Sequence, residues 1–245
     1  GKIISARRRL LKPIQEERVE NTRWVVTRYP SHSQAQEAGM SFVDFEDFYF
    51  KACNIDWEKV AKRTEKLKKL LDRSKEVRIT APDTELTFSI KGMGAITCVG
   101  KRNMPDGEVF TAPEKKSVEG HIRYNTPSLY QGKLFSGVRF EFEKGRIANA
   151  SADRGEEHLA AILDTDAGAR YIGEFSFGLN KKIKRPMLST LFDGKMAGSI
   201  HLTPGSSYRE CDNGNRSAVH WDLVRRMEDG EIYDLFPVSP GIKVD

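Results

Sequence analysis

The strongest constraint on the fold is a change in residue pattern near residue 75 of this 245-residue chain. Before that point, apolar residues recur at helical spacing. After it, short segments alternate apolar and polar residues, as strands with one buried face do. Helices followed by a run of strands indicate the α+β class. We therefore predict N-terminal helices over 1–75, followed over 76–245 by a mostly antiparallel, barrel-like sheet domain.

The helical part divides into four segments. Residues 2–19 are rich in Arg, Lys, Glu and Leu and predict a first helix, and 33–38 predict a second helix that Gly39 is placed to end. Ser41 is placed to begin a third helix, because its hydroxyl can accept a hydrogen bond from a backbone N–H of the first turn. A fourth helix is expected over 57–74.

One helix is expected within the strand part, at 155–164. Conversely, a short strand is predicted within the helical part, at 23–29. Turn-forming residues such as Pro-Asp-Gly and Lys-Gly separate the other strands. The clearest predicted strands are 85–90, 118–124, 133–143, 146–150, 171–177, 198–203, 218–223 and 231–236.

The formal net charge of +5 comes from one segment. Residues 58–78 hold nine Lys or Arg and four Asp or Glu, so the rest of the chain is balanced. Apolar residues recur there at helical spacing, which predicts that the basic residues form the solvated face of an amphipathic helix. A nucleic-acid-binding module is the alternative, but aromatic residues and Gly-rich loops are not interleaved with these charges. We therefore expect no nucleic-acid partner.

Apolar runs and cysteines bear on the compartment. No run of about 18 or more apolar residues occurs, so we expect no membrane partner, and the charged first residues do not resemble a signal peptide. The three cysteines, Cys53, Cys98 and Cys211, contain no C-x-x-C pair, which argues against disulfides and favours the cytoplasm. Because the chain starts at Gly1 within an expected helix, we interpret it as a fragment or a processed chain.

The strongest local signal for chemistry is the segment 218–222, Ala-Val-His-Trp-Asp. On a strand, residues two apart point to the same face. His220 and Asp222 would therefore project together, while Val219 and Trp221 project to the other side. An imidazole beside a carboxylate suits a divalent metal. A hydrogen-bonded pair at the surface is the alternative.

Three further residues have the chemistry of metal ligands. His201 lies between apolar neighbours on a predicted strand, where a core histidine is the alternative. Glu174 points away from the apolar face of its strand, and a buried carboxylate needs a cationic partner, either a metal or an Arg or Lys. Glu108 begins a strand directly after a Pro-Asp-Gly turn, and a solvated side chain is the alternative there.

These five residues together form a set of nitrogen and oxygen ligands without sulfur. Such a set suits Zn, Co or Mn in a hydrolytic site with two metal ions. One ion would hold a substrate carbonyl, and the other would lower the pKa of a bridging water.

The chain resembles the thermophilic aminopeptidase T family in four motifs that occur in the same order. They are Asn-Met-Pro-Asp-Gly-Glu-Val-Phe at 103–110, Gly-Glu-Phe-x-Phe-Gly-x-Asn at 173–180, Leu-Phe-Asp-x-Lys at 191–195 with a following Ser-Ile-His-Leu, and Asn-Arg-Ser-Ala-Val-His-Trp-Asp at 215–222. Segments 23–30 and 36–40 also resemble the family, so the similarity covers nearly the whole chain. Members of this family are metallo-aminopeptidases that remove N-terminal amino acids with two metal ions.

The resemblance implies roles for particular residues. The family's metal ligands fall on five residues of this chain: Glu108, Glu174, His201, His220 and Asp222. Glu174 falls on the carboxylate that bridges both metals and is expected to be catalytic. Tyr208 falls on a tyrosine that stabilises the oxyanion of the tetrahedral intermediate, which a phenol can do by donating a hydrogen bond. The resemblance also implies two divalent metal ions, peptide substrates and a homodimer.

Two departures from the family pattern bear on activity. The family has Asp-Glu-Lys or Asp-Glu-Asn after Leu-Phe, and that Glu is a sixth metal ligand, but here Gly194 stands in its place. Asp193 is adjacent, but on a strand it would face the wrong way. Family members also carry an N-terminal α/β domain, which we expect to be absent from this sequence. We therefore interpret 1–75 as a remnant of that domain or a linker to it, and 76–245 as the metal-binding catalytic domain.

The leading hypothesis is a metallo-aminopeptidase that hydrolyses the N-terminal peptide bond of peptides through a metal-activated water. The missing carboxylate at position 194 could be replaced by water or by Asp193, with reduced activity. The alternative is a catalytically impaired pseudoenzyme or peptide-binding protein of the same fold.

Overall fold

Helices come first and mostly antiparallel sheets follow, which confirms the α+β prediction. The structure, a computed structural model, describes residues 10, 11, 13, 14 and 17–228, together with the backbone of 232–237. Much of the helix predicted over 2–19 lies outside the described residues. Within the described part the sheets do not close into a barrel, and no helix there has the length and apolar character needed to cross a bilayer.

The helices predicted at 33–38, from Ser41, at 57–74 and at 155–164 are present, whereas a short helix at 190–193 is not predicted by the sequence. After a helical stretch at 17–21, the described helices are α1 (His32–Glu37), α2 (Phe42–Cys53), α3 (Trp57–Arg73), α4 (Glu156–Leu163) and α5 (Thr190–Asp193), with a 3-10 turn at Arg209–Cys211. Ser41 caps α2, since its hydroxyl accepts a hydrogen bond from the Asp44 backbone at 3.1 Å. Gly39 follows α1 with a φ of +62°, a conformation that glycine adopts without strain.

The strands form two large sheets and two small ones. They are β1 (Val26–Thr27), β2 (Ser74–Ala81), β3 (Thr84–Ser89), β4 (Ile96–Cys98), β5 (Asn103–Met104), β6 (Glu108–Thr111), β7 (Glu119–Arg123), β8 (Ser128–Tyr130), β9 (Lys133–Phe135), β10 (Arg139–Glu143), β11 (Arg146–Ser151), β12 (Ile172–Gly178), β13 (Ser199–Pro204), β14 (Leu223–Arg226) and β15 (Ile232–Pro237). The six-stranded sheet has the order β11-β10-β7-β3-β2-β15, and the five-stranded sheet has the order β14-β13-β12-β6-β4. The small sheets are antiparallel β8-β9 and parallel β1-β5.

Three strand predictions are wrong in extent. The strand predicted over 133–143 is two strands, β9 and β10, which lie in different sheets. The strand predicted over 23–29 is only the two residues of β1, and the strand predicted over 218–223 starts at Leu223. The segment before Leu223 is extended, but it lies beside a loop instead of a regular strand. His220 forms an isolated β-bridge with Gly205, and the backbone N–H of Trp221 donates a hydrogen bond to Pro204 O at 3.2 Å.

One face of the five-stranded sheet forms the main hydrophobic core. Val109, Phe175 and Ile200 point to that face and are fully buried. They pack with residues of the six-stranded sheet, and the rings of Phe88 and Phe175 lie 5.0 Å apart. Because residues alternate along a strand, their immediate neighbours must point to the opposite face. That opposite face, which we call the site face, is also buried but carries polar residues.

The N-terminal helices pack against the segment that leads into the site face. Phe192 of α5 is fully buried, and its ring lies between 5.5 and 6.2 Å from the rings of Phe45, Phe48 and Tyr49 on α2. This cluster holds α5 in place, and position 194 follows α5 directly. The division of the chain into domains at residue 75 stays a prediction.

Replacing Phe192 by alanine tests this packing. Phe192→Ala should lower the free energy of unfolding by about 3–5 kcal/mol, the usual cost of deleting a buried phenyl ring. Val43 also lies on α2 but is 73% exposed, so Val43→Ala should change the free energy by less than about 0.5 kcal/mol. Chemical denaturation measures both values. Equal losses in the two variants would contradict the proposed role of the cluster.

Candidate metal centre

The register of the five-stranded sheet brings three predicted ligands to the site face. Glu108 is the first residue of β6, Glu174 lies in β12, and His201 lies in β13. His201 is opposite Ser176, and Glu108 is opposite Gly178. Directly opposite residues of an antiparallel pair point to the same face, as do residues two apart on one strand. All three side chains therefore converge on one side of the sheet.

Glu174 lies at the centre of this group. Its Oε1 is 3.5 Å from His201 Nε2 and its Oε2 is 3.3 Å from His220 Nε2, while only 3% of the residue is exposed. Burial alone would raise the pKa of Glu174, but the two histidines outweigh burial and hold it well below its usual range. The carboxylate is therefore ionised. Its cationic partners are the two histidines instead of the Arg or Lys that the sequence also allowed.

His220 and Asp222 project together, as predicted from their spacing, and His220 Nε2 lies 3.3 Å from Asp222 Oδ1. Each is oriented by a second contact: His220 Nδ1 lies 2.9 Å from Ser206 O, and Asp222 Oδ1 accepts a hydrogen bond from Thr203 Oγ1 at 2.9 Å. An Nδ1–H that donates to a carbonyl leaves Nε2 free to bind a metal when the ring is neutral. Both side chains are largely buried, so the alternative of a surface pair is wrong.

A glycine allows the loop that orients His220 to approach. Gly205 has a φ of +109°, and a Cβ there would lie 2.0 Å from Val219 O. Any other residue would separate the 204–206 loop from the 219–221 segment. The Ser206 carbonyl then could not reach the His220 ring. The backbone of Gly205 therefore contributes to the geometry of the site.

His201 is fully buried but is not a satisfied core histidine. Within the described part of the chain, its Nδ1 has no hydrogen-bond partner. A Cβ placed on Gly194 would lie 3.1 Å from His201 Cε1 and 3.2 Å from its Nδ1. Gly194 has φ −65° and ψ −16°, a conformation open to any residue. A side chain at position 194 would thus start beside His201, at the edge of the site.

Asp193 does not replace the absent carboxylate, and its predicted position on a strand is wrong. It ends the short helix α5, where its Oδ1 accepts a hydrogen bond from the Met187 N–H at 2.6 Å and its Oδ2 accepts one from the Ser189 N–H at 3.1 Å. The side chain therefore closes its own loop. Burial raises the pKa of Asp193 to about 7 in spite of these hydrogen bonds.

Lys195 is the polar residue that the sequence analysis did not single out. It is 6% exposed, and its Nζ donates to Glu108 Oε1 at 2.8 Å. Burial lowers the pKa of Lys195, but Glu108 and Asp222 outweigh burial and raise it well above its usual value. Glu108 is itself 4% exposed, so the alternative of a solvated glutamate is wrong. The position of Lys195 next to Gly194 in the Leu-Phe-Asp-x-Lys motif was the available signal.

Tyr208 lies at the edge of the site. Its ring centroid is 4.8 Å from that of His220 and 5.5 Å from that of Phe110, and 45% of the residue is exposed. Desolvation of the hydroxyl, together with the charges of Glu174 and Asp222, raises the pKa of Tyr208 well above its usual value. The phenol therefore stays protonated at neutral pH and can donate a hydrogen bond.

The five predicted residues form two overlapping groups that could each hold a divalent ion. We call Glu108, Glu174 and His201 the first half-site, and Glu174, His220 and Asp222 the second half-site. In each group the ligand atoms lie within 4.8 Å of one another. Nitrogen and oxygen donors in groups of three fit a catalytic Zn, Co or Mn ion that keeps an open position. The structure thus brings all five predicted residues together, and their role as ligands stays a prediction.

Comparison with known proteins identifies relatives along most of the chain. A family model described as Thermophilic metalloprotease (M29) matches residues 1–233. Aminopeptidase T of Thermus thermophilus is 35% identical over 150 residues, covering 55% of this chain and 36% of that protein. Aminopeptidase PepS of Streptococcus thermophilus is 28% identical over 238 residues, covering 82% of this chain and 56% of that protein. The chain spans about half or less of the length of these relatives.

Solved structures show the same fold. Wild-type AmpT from Thermus thermophilus superposes with a TM-score of 0.80 at 27% identity and covers 96% of this chain and 68% of its own. A 2,5-dihydroxypyridine dioxygenase from Pseudomonas putida KT2440 has a TM-score of 0.65 at 16% identity, over 92% of this chain and 72% of its own, which is a likeness of fold alone. Since the family model covers nearly the whole sequence, the chain belongs to the thermophilic metalloprotease family M29.

Proposed function

We propose that the chain is the catalytic part of a metallo-aminopeptidase that hydrolyses the N-terminal peptide bond of peptides. The observation that carries the proposal is the buried, ionised Glu174 shared by two groups of nitrogen and oxygen ligands. Membership of a metalloprotease family and the aminopeptidase names of the relatives support it. Elemental analysis of the purified chain, beside release of amino-acid anilides, tests it. Absence of both metal and hydrolysis would contradict it.

The second half-site is the better prepared of the two for a metal ion. Glu174, His220 and Asp222 would supply its ligands, with Ser206 O and Thr203 orienting the latter two. A divalent ion bound there would polarise the scissile carbonyl and lower the pKa of a water molecule. Zn, Co and Mn all accept this ligand set.

Tyr208 is the residue proposed to act on the substrate. Its protonated hydroxyl would donate a hydrogen bond to the negative charge that develops on the carbonyl oxygen during attack. The ring packs on His220, which places the phenol beside the second half-site. Glu174, beside His220, is buried, and a low local dielectric there strengthens its electrostatic contacts.

The proposed compartment is the cytoplasm, and the proposed assembly is a homodimer. Cys53, Cys98 and Cys211 are all free thiols, which supports a reducing compartment such as the cytoplasm. The proposed homodimer rests on the family resemblance. Light scattering of the purified chain measures its mass in solution, and a monomeric mass would contradict the dimer.

A pseudoenzyme that binds peptides without hydrolysing them is the second candidate. Gly194 favours it, because this position adjoins His201 and offers no carboxylate to the first half-site. The same two measurements separate the candidates. Bound metal with anilide release supports the enzyme, whereas neither metal nor release supports the pseudoenzyme.

Removing the charge of Glu174 should abolish metal binding. Glu174→Gln takes a proposed ligand from both half-sites. It should therefore weaken Co²⁺ binding by more than about 100-fold, the upper end of the loss when a residue that only orients a ligand is removed, and anilide release should disappear. The matched control is Glu141→Gln on β10, where the carboxylate pairs with Arg139 at the surface. Equilibrium dialysis measures the affinity. Unchanged metal binding in Glu174→Gln would rule out the proposed ligand set.

Tyr208→Phe should separate catalysis from metal binding. Loss of the hydroxyl removes one donor to the developing oxyanion, so kcat should fall about 10²- to 10³-fold while the metal content stays the same. Tyr29→Phe is the control, because Tyr29 is 72% exposed and lies outside the site. Steady-state kinetics on an amino-acid anilide measures the effect. A kcat within about twofold of the unaltered chain would remove Tyr208 from the mechanism.

Metal binding should release protons. Burial lowers the pKa of His220, but Asp222 and Glu174 outweigh burial and raise it to about 9, and the ring must be neutral to bind a metal. The affinity should therefore rise by about tenfold per pH unit for each proton released, up to about pH 9. The folding stability of the metal-free protein depends on pH in the opposite direction. The charged His220 ring contributes stability that is fully present below about pH 6.5 and is lost as the pH rises through about 9.

Calorimetry of Co²⁺ binding at pH 7, in two buffers with different ionisation enthalpies, counts the released protons. His158→Gln is the control, because His158 lies on α4 outside the site, with Glu157 as its neighbour. The control should release the same number of protons as the unaltered chain. A count of zero in the unaltered chain would show that no protonated histidine is displaced.

A further inference from the structure

Lys195 places a positive charge inside the first half-site. Its ammonium group contacts Glu108 Oε1 at 2.8 Å, and both side chains are more than nine-tenths buried. The other oxygen of Glu108 lies 3.4 Å from Ser176 Oγ and 3.9 Å from His201 Nε2. Of the two carboxylates of the first half-site, Glu108 is the one that the second half-site does not share, and it already has a cation as its partner.

The two half-sites differ in how their ligands are supported. In the second half-site, His220 is oriented by Ser206 O and Asp222 by Thr203. In the first, His201 Nδ1 has no hydrogen-bond partner among the described residues, and the neighbouring position is Gly194. Metal-binding histidines are normally oriented through their other ring nitrogen. The second half-site has this support and the first does not.

The direct contact of Lys195 differs in the same direction: its ammonium group hydrogen-bonds Glu108 of the first half-site, while it acts on Asp222 of the second half-site only through its charge. Lys195 brings its positive charge to the carboxylate that a divalent ion in the first half-site would need, so the two cations would repel each other at short range in a buried environment. A carboxylate at position 194 would add negative charge beside His201 and offset that repulsion. Gly194 adds none, so the ion pair of Lys195 and Glu108 remains the more favourable arrangement.

We propose that Lys195 is the resident cation of the first half-site and that the chain binds one divalent ion, in the second half-site. This inference rests on the proposed metal-binding function. It replaces the two ions implied by the family resemblance with one ion and one buried ammonium group. Lys195 then acts as a positioning residue, because it fixes Glu108 and keeps a second ion from the site.

The test is the number of Co²⁺ ions bound per chain, measured by equilibrium dialysis and elemental analysis of the full chain. The unaltered chain should bind one ion. Lys195→Met keeps most of the length of the side chain but removes its charge, and this variant should bind a second ion. Gly194→Glu combined with Lys195→Met should bind two. Lys181→Met is the control, because Lys181 is an exposed lysine on the loop after β12.

A second variant keeps the inference testable if Lys195→Met fails to fold. Glu108→Gln, with Lys195 intact, should still bind one ion, because Glu108 does not hold a metal in the proposed arrangement. If the unaltered chain binds two ions and Glu108→Gln binds one, the inference about Lys195 fails while the proposed function stands. If the unaltered chain binds no ion, the proposed function itself fails. The outcomes are therefore distinguishable by stoichiometry alone, without an activity measurement.

Discussion

A carboxylate buried in a protein must meet positive charge, and Glu174 meets it on two sides. One oxygen faces His201 on the neighbouring strand and the other faces His220 beyond it. Burial of an uncompensated carboxylate would be prohibitive, so each imidazole must be held within a few ångströms. The register of β12 with β13, and the close approach of the 204–206 loop to the 219–221 segment, satisfy this requirement. The architecture of the site follows from keeping Glu174 ionised.

The same five-stranded sheet separates two environments. Alternate residues on its strands enter a dry hydrophobic core on one face and a buried polar cluster on the other. The core face fixes the strands relative to one another. Rigid strands in turn hold the polar side chains at fixed distances, which a metal site requires because its ligands must already be converged when the ion arrives.

Three consecutive residues after Phe192 have three different roles. Asp193 closes its own loop through backbone N–H groups, Gly194 leaves space beside His201, and Lys195 reaches Glu108. The aromatic cluster around Phe192 connects this short segment to the N-terminal helices. The packing of this aromatic cluster, outside the site itself, thus decides which charges enter the first half-site. The asymmetry between the half-sites is a property of this segment more than of Glu174, which both half-sites share.

The sequence by itself determined the α+β class, the caps of the helices, most of the strands and the five residues that meet on the site face. These properties depend on periodicity, on capping within one turn and on motifs read in order, all of which are local. Only the tertiary structure decided the partners of those residues. Lys195 and Glu108 are 87 residues apart, and Thr203 and Asp222 are 19 apart, so their contacts depend on strand register. The sequence mispredicts the positions of Asp193 and of the 218–223 segment for the same reason, because each depends on a loop that folds back against it.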